Sequence, residues 1–340
     1  MSSSTTGGKG HRPSCRAGGM TRRTRPAPEI PALLVAVILL SRTSVAVADP
    51  PQGAIVGWGG QVVGVDLSHG FVAVAGGAAH SLGLKADGSI VGWGNNFYGQ
   101  ANVPAPNTGF IAVAGGVGSH NLGLKADGSI VAWGCGSPPY YNYGECSVPA
   151  PNTGFIAVAR GMWHSLGLKA DGSIVAWGCG SPYNYGQCNV PAPNTGFIAV
   201  AGGEGHSLGL KADGSIVAWG DYGSGQTNVP APNTGFIAVA GGEDHSLGLK
   251  ADGSIVAWGD NFFGQSNPPP GGPNTGFIAV AGGLKHSLGL KADGSIVAWG
   301  CGSPWNYGQC DVPADNTSFI AVAGGGAHSL GLKADGSIVA

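Results

Sequence analysis

Residues 197–220 read Phe-Ile-Ala-Val-Ala-Gly-Gly-Glu-Gly-His-Ser-Leu-Gly-Leu-Lys-Ala-Asp-Gly-Ser-Ile-Val-Ala-Trp-Gly, and close variants of this phrase recur along the chain. Its histidine falls at His80, His120, His164, His206, His245, His286 and His328, so successive copies lie 40, 44, 42, 39, 41 and 42 residues apart. A fixed period in this range marks units that are stacked or arranged radially, each too small to bury a core alone. Seven units predict one closed or stacked domain rather than seven domains.

Each unit reads as strands and tight turns. Phe-Ile-Ala-Val-Ala, His-Ser-Leu-Gly-Leu and Ser-Ile-Val-Ala-Trp are short runs rich in β-branched and aromatic residues, punctuated by Gly-Gly, Asp-Gly and Trp-Gly. Glycine recurs too often within the repeated phrase to allow a helix there. The Lys-Ala-Asp-Gly-Ser segment, as at Asp87 and Gly88 or Asp213 and Gly214, joins two apolar runs through residues that tolerate positive φ, a hairpin signature. After Trp-Gly comes a polar, aromatic loop and then Gly-Gln-x-Asn-Val-Pro-Ala-Pro-Asn-Thr, whose Asn-Val stretch is read as an outer fourth strand before a proline-rich exit. Four short strands in about 40 residues are the pattern of a propeller blade. The expected fold is all-β, a seven-bladed β-propeller.

Residues 76–100 carry Gly-Gly-x-x-His-Ser-Leu-x-Leu-Lys-x-Asp-Gly-x-Ile, followed by Trp-Gly-x-Asn-x-x-Gly-Gln, and the later units repeat it in close variants. This phrase resembles the regulator of chromosome condensation repeat, and the resemblance extends over nearly everything from Gly53 to Ala340. It implies a seven-bladed propeller. Within that family, the short repeats and the Trp-Gly-x-Asn-x-x-Gly-Gln-x-x-Val-Pro phrase look most like the secreted bacterial branch that includes β-lactamase inhibitory protein II, which implies a bacterial origin and a protein target.

The ends of the chain bear on closure and location. Residues 54–59, Ala-Ile-Val-Gly-Trp-Gly, match the third strand of a unit, yet Ser337–Ala340 begins a third strand as well. Either one copy is displaced or the chain is truncated. Residues 1–48 differ in kind: Arg12, Arg16, Arg22, Arg23 and Arg25 precede an apolar core from Ile30 to Leu40, and Ala46-Val47-Ala48 offers a cleavage site. Residues 1–48 are therefore read as a signal peptide, with Met20 as an alternative start, and 49–340 as the propeller of a secreted or periplasmic protein. Eleven apolar residues are too few to span a bilayer comfortably, so no membrane span is expected once the leader is removed.

The whole chain carries 16 basic and 18 acidic residues; without residues 1–48 it has 9 and 17, a net charge of −8. That balance is a poor match for a phosphate backbone and argues against a nucleic-acid partner. Cys15 lies in the leader, and the other six cysteines pair by position: Cys135 with Cys146, Cys179 with Cys188, Cys301 with Cys310. Each pair brackets a lengthened loop, whereas units without the insertion have neither cysteine. Joint appearance with the insertion is what a loop disulfide predicts, and the rival metal site has an incomplete ligand set.

A residue present in every unit is most simply part of the scaffold. The seven histidines are read as half-buried side chains that satisfy backbone groups between strands, in preference to a metal or proton-transfer ring, and the tryptophans from Trp58 to Trp299 as packing between blades. The Lys-Ala-Asp-Gly turns offer one carboxylate each, without the acidic ladder of a Ca²⁺ loop. No nucleophile elbow, phosphate loop or zinc-binding helix motif appears. Serine follows histidine in six units, but neighbours on a strand point to opposite faces and cannot act on one another. No enzyme activity, cofactor or metal is expected.

What varies between units is more informative. One variable spot precedes the histidine and includes Met162-Trp163, Glu204-Gly205, Glu243-Asp244 and Leu284-Lys285. The other follows Trp-Gly and is aromatic: Phe97 and Tyr98, Tyr141 and Tyr143, Tyr183 and Tyr185, Tyr222, Phe262 and Phe263, Trp305 and Tyr307. Propeller symmetry places equivalent loops on one face, giving a ring of aromatics mixed with Asn, Ser and Gly, the composition of protein-binding surfaces. The candidate ligand-binding residues are these together with Met162 and Trp163, and the expected partner is a protein. The alternatives are a lectin-like role, in which the rings stack on sugars while Asn95, Asn96 and Asn261 bind hydroxyls, a β-lactamase-inhibitor-like role, and a purely structural surface protein.

Overall fold

The computed structural model describes residues 66–340 apart from 117, 137–141, 268 and 271. The expected leader and the early copy of a third strand at 54–59 lie outside the described residues. From Phe71 onward the chain forms seven three-stranded antiparallel sheets, each in simple sequence order. In the fourth unit the strands are Phe197–Gly202, His206–Lys211 and Ile216–Gly220.

The repeated phrase explains each joint. Lys211 N donates to Ser215 O at 2.8 Å and Gly214 takes φ 80°, a three-residue hairpin in which only glycine enters the left-handed region at low cost. Asp213 Oδ1 accepts the Ser215 amide at 2.9 Å and fixes the turn. The register shifts between Phe197 and Ala199, a bulge that turns Phe197 inward and leaves Ile198 exposed. Phe197 then lies beneath Gly209 of the middle strand, where an added Cβ would come within 2.5 Å of the ring. Leu-Gly-Leu is thus a slot for the phenylalanine.

No unit buries its own core. Leu208, Leu210 and Ile216 of the fourth unit pack against Phe236 and Trp258 of the fifth, and equivalent clusters recur between the other units. The first strands touch in succession around the molecule, and that of the seventh unit, Phe319–Gly324, meets that of the first, Phe71–Gly76. The result is an all-β, propeller-like ring. At the ends of the first strands glycines crowd one another: a Cβ on Gly241 would come within 2.6 Å of the Gly202 carbonyl, and one on Gly202 would meet the Arg160 backbone at 2.6 Å.

Among the described residues the expected fourth strand is not formed, and each sheet has three strands. The outer edge is held by the Asn of the Pro-Asn-Thr exit. Asn233 Oδ1 accepts the Ile216 amide and its Nδ2 donates to the Ile216 carbonyl, both at 2.8 Å. One side-chain amide thereby mimics a neighbouring strand at a single residue, and Asn107, Asn152, Asn194, Asn274 and Asn316 do the same. At the C-terminus Ile338–Val339 pairs with Ser329–Lys333 and fills the third-strand place of the seventh unit, with the Ile338 amide donating to Leu67 O.

Candidate functional site

The repeated histidines, expected to be scaffold, and the aromatic loops, expected to be the binding site, occupy different places. The histidines are buried rather than half-buried, and they bond to side chains of the next unit instead of to backbone. His164 Nε2 lies 2.8 Å from Ser207 Oγ, and Ser207 Oγ donates to Gln187 O at 3.0 Å. A hydroxyl has one proton, so the hydrogen of the His164–Ser207 bond belongs to the histidine and the imidazole is the Nε2-protonated tautomer. Its Nδ1 is a buried lone pair without a partner, as in His80, His206, His245 and His286. Burial pushes these groups down, His164, His245 and His286 to about 3 and His80, His206 and His328 to about 4.

The same contact runs through every unit, with Asn121 taking the place of serine once: its Oδ1 lies 2.7 Å from His80 Nε2 and its Nδ2 donates to Gln100 O. An amide can accept and donate as the hydroxyl does, so the exchange preserves the ring. Tryptophan uses the same carbonyls, as where Trp219 Nε1 donates to Gln187 O at 2.8 Å. These histidine–serine pairs resemble catalytic dyads in distance only. Ser165, Ser207, Ser246, Ser287 and Ser329 each give their proton to a backbone carbonyl, and both members of these pairs are buried.

The aromatic loops do come to one end. In an antiparallel sheet the segment before the histidine and the segment after Trp-Gly leave the same edge, while the Lys-Ala-Asp-Gly-Ser turn sits at the other. Three of the loops are closed by the Cys135–Cys146, Cys179–Cys188 and Cys301–Cys310 bonds, with Cα separations of 6.1, 6.1 and 6.0 Å. The rings do not form an even circle. Phe97 packs edge-on to Tyr98, Phe262 to Phe263 and Trp305 to Tyr307, each within its own loop, and Phe97 and Phe262 are each 81% exposed. Trp163 instead stacks on Tyr183 at 4.1 Å, and Tyr143 meets both rings edge-on at 5.6 and 5.2 Å. Tyr185 lies against Gly205, Tyr222 is exposed, and Tyr141 lies outside the described residues.

Beside the aromatic trio stands a charged group that sequence reading passed over. Trp163 Nε1 donates to Glu204 Oε1 at 3.3 Å. Oxygens of Glu204, Glu243 and Asp244 lie within 4.8 Å of one another. Lys285 Nζ fills the neighbouring space, 2.5 Å from Glu243 Oε2 and 3.8 Å from both Asp244 and Asp260. Burial raises the pKa values of Glu204, Glu243 and Asp244. Burial opposes the Lys285 charge, but the bond to Glu243 and the neighbouring aspartates outweigh it and raise that group. The four residues were visible as variable positions, yet their convergence from three units was not.

A cleft of about 200 Å³ is lined by Tyr98, Ser119, His120, Glu145, Met162 and Trp163 among others. Arg160, standing where the other units have glycine, is buried and donates to the carbonyls of Gly116, Gly118 and Gly161, of which Gly118 belongs to the cleft wall. Burial pulls the guanidinium down to about 9, with Glu145 opposing the shift. The asparagines expected to bind sugar hydroxyls are engaged within their loops: Asn95 Oδ1 accepts from Phe97 N and Gln100 Nε2, and Asn96 and Asn261 bond to Asn102 and Asn267.

Four units match the family model of the regulator of chromosome condensation (RCC1) repeat. The matched residues are 71–100, 197–226, 236–265 and 277–309, and the match supports the family resemblance read from the sequence. No curated protein sequence matches the chain. Among solved structures, Prp20p from Saccharomyces cerevisiae, described with its binding properties to Gsp1p and histones, superposes with a TM-score of 0.63 at 19% identity, covering 77% of this chain and 82% of that one. Yeast RCC1 (Prp20) bound by Kap60 gives 0.62 at 20% identity, over 77% and 80%. The ectodomain of the receptor kinase CR4 from Physcomitrella patens gives 0.61 at 22%, over 78% and 71%. At these identities the likeness is one of fold. The first two of these are the eukaryotic protein RCC1 (Prp20), and with the RCC1-repeat match they overturn the placement in a secreted bacterial branch beside β-lactamase inhibitory protein II and the reading as an exported protein with a signal peptide. No helix among the described residues is long and apolar enough to cross a membrane.

Proposed function

We propose that the chain is a seven-bladed propeller that acts by binding a protein through the loop end of the ring. The observation that carries this reading is the contiguous patch in which Tyr143, Trp163 and Tyr183 interlock beside Glu204 and Glu243. Rigid aromatic area next to oriented polar groups is the usual make-up of an interface hot spot. The yeast relatives of similar fold are described in complex with, or binding to, proteins, which supports the same class of partner here. Tyr98, Met162 and Tyr185 extend the patch, while Phe97, Tyr222, Phe262, Phe263, Trp305 and Tyr307 form separate outposts around the ring.

The test is capture of partners from the native lysate on immobilised protein, followed by calorimetry with single alanine variants. Trp163→Ala is expected to cost about 2 kcal/mol or more, and Phe97→Ala and Phe262→Ala much less, because interfaces concentrate energy in buried anchors. Equal small losses at every aromatic loop would point instead to weak equivalent sites acting together. Unchanged affinity in all variants would place the binding surface elsewhere.

A further inference from the structure

We infer that the seam between the seventh and first units is a docking site for residues 54–61 of the same chain, which take the third-strand place that Ser337–Ala340 fills. The inference is independent of the partner-binding reading and concerns how the ring is joined.

A bonding pattern that is regular in five places is incomplete at this one. The backbone carbonyls of Gln100, Glu145, Gln187, Gln226 and Gln265 each accept two side-chain donors from the next unit: the indole of its tryptophan, and the serine or asparagine that follows its histidine. Among the described residues the Gln309 carbonyl accepts from Ser329 but from no indole. Ser81 and Trp93 hold the equivalent donor positions of the first unit and are buried, yet among the described residues neither has such a carbonyl. Two donors thus lack their carbonyl and one carbonyl lacks its indole, all at one seam, where buried polar groups need partners. The cores agree. Six of the seven clusters between units hold a tryptophan with the phenylalanine, as Trp258 with Phe236 or Trp299 with Phe277. The cluster of Leu288, Leu290, Ile296 and Phe319 has Val339 instead.

Residues 54–61 read Ala-Ile-Val-Gly-Trp-Gly-Gly-Gln and match each of these needs. Gln61 precedes Ser81 by 20 residues and Trp93 by 32, the separations of Gln187 from Ser207 and Trp219. It precedes Phe71 by ten residues, as Gln187 precedes Phe197. Chain length therefore suits its carbonyl to accept from Ser81 and Trp93. Trp58 supplies the indole for Gln309 O and the ring for the core around Phe319. In the first unit a Cβ on Gly92 would come within 2.8 Å of the Ala101 backbone, which sets Trp93 opposite Gln100. Only Gly59 and Gly60 lie between Trp58 and Gln61, the two-residue connection of a tight hairpin that brings the same two positions together. Ile55 and Val56 repeat Ile338 and Val339, so the exchange keeps the aliphatic side chains of the core and adds a buried indole. The receiving edge is already formed, since Leu67 O accepts the Ile338 amide and Leu67 lies six residues after Gln61.

Hydrogen exchange followed by mass spectrometry on the full chain is the first test. Amides of residues 54–58 are expected to be protected like those of Ile296–Trp299, and those of Ser337–Ala340 to exchange roughly a hundredfold faster or more. Fast exchange across 54–58 with protected Ile338 and Val339 would overturn the inference. Urea unfolding gives a second reading. Trp58→Phe is expected to lower the midpoint as much as Trp299→Phe does, and Ile338→Ser to leave it unchanged while Ile296→Ser lowers it. No shift with Trp58→Phe, or equal losses at Ile338 and Ile296, would sink the exchange. Protection of 54–58 that disappears on dilution, together with a dimer at high concentration, would place the segment on a second copy and overturn docking within one chain.

Discussion

His328 Nε2 lies 2.9 Å from Ser81 Oγ, a residue 247 positions earlier in the chain. Each of the other six units makes the equivalent bond to the unit that follows, at 2.7 to 3.1 Å. The contact between His328 and Ser81 is therefore the one that joins the last unit to the first. Ser81→Ala leaves a buried imidazole nitrogen without its hydrogen-bond partner at this seam and is expected to lower unfolding stability by about 1–3 kcal/mol. His206→Ala should cost a similar amount without abolishing partner binding, since the ring lies beneath the loop surface. Chemical denaturation with calorimetric binding on the same samples checks both; lost binding with unchanged stability would move the histidines from scaffold to site.

Acid should unfold the ring through these histidines. Their folded pKa values of about 3 to 4 lie below the ordinary value of 6.5, so between those limits the unfolded chain binds more protons and stability falls as pH falls. A protonated imidazole would also bury a second N–H against no acceptor. Glu145, Glu204, Glu243 and Asp244 are shifted upward and act in the opposite sense, taking up protons more readily when folded and offsetting part of the loss near their own range. Urea midpoints are expected to be flat from pH 8 to 7 and to fall steadily below about 6.5. A midpoint that stayed constant down to pH 4 would contradict the buried neutral tautomer.

Gly209→Ala places a methyl within 2.5 Å of the Phe197 ring. The core can relax only by moving the ring that fills the slot, so a loss of about 1–3 kcal/mol is expected. Gly209→Ala combined with Phe197→Leu should cost less than the sum of the two single changes, because the clash disappears with the ring. Strict additivity in a double-mutant cycle would show that the slot is looser than described.

Replacing Cys179 and Cys188 together by serine releases one loop at the binding end. Closure of a loop of about ten residues corresponds to roughly 2–3 kcal/mol in the chain-entropy view, and the seven sheets are expected to persist. Non-reducing peptide mapping should recover Cys135 with Cys146, Cys179 with Cys188 and Cys301 with Cys310. Cross-unit links, or zinc released on thiol modification, would contradict the local pairing.

The periodicity and hence the seven units, the hairpin at each Lys-Ala-Asp-Gly-Ser, and the need for neighbouring units to share a core are all legible in the order of residues. These follow from residues close together in the chain, where spacing and glycine positions act through local geometry. Tertiary structure decided what lies between units. That His164 would find Ser207, that Asn233 would take the place of a fourth strand, and that Trp163 would stack on Tyr183 with Tyr143 edge-on to both all depend on side chains separated by about 17 to 43 residues. The aromatic loops were legible as a class because they vary against a constant frame, but their division into one interlocked patch and several outposts was not. Glu145 and Arg160 could be seen as departures from the repeat, yet only the folded ring set them around the same cleft, because a repeat records which residue occurs at each position and not which neighbouring unit it faces.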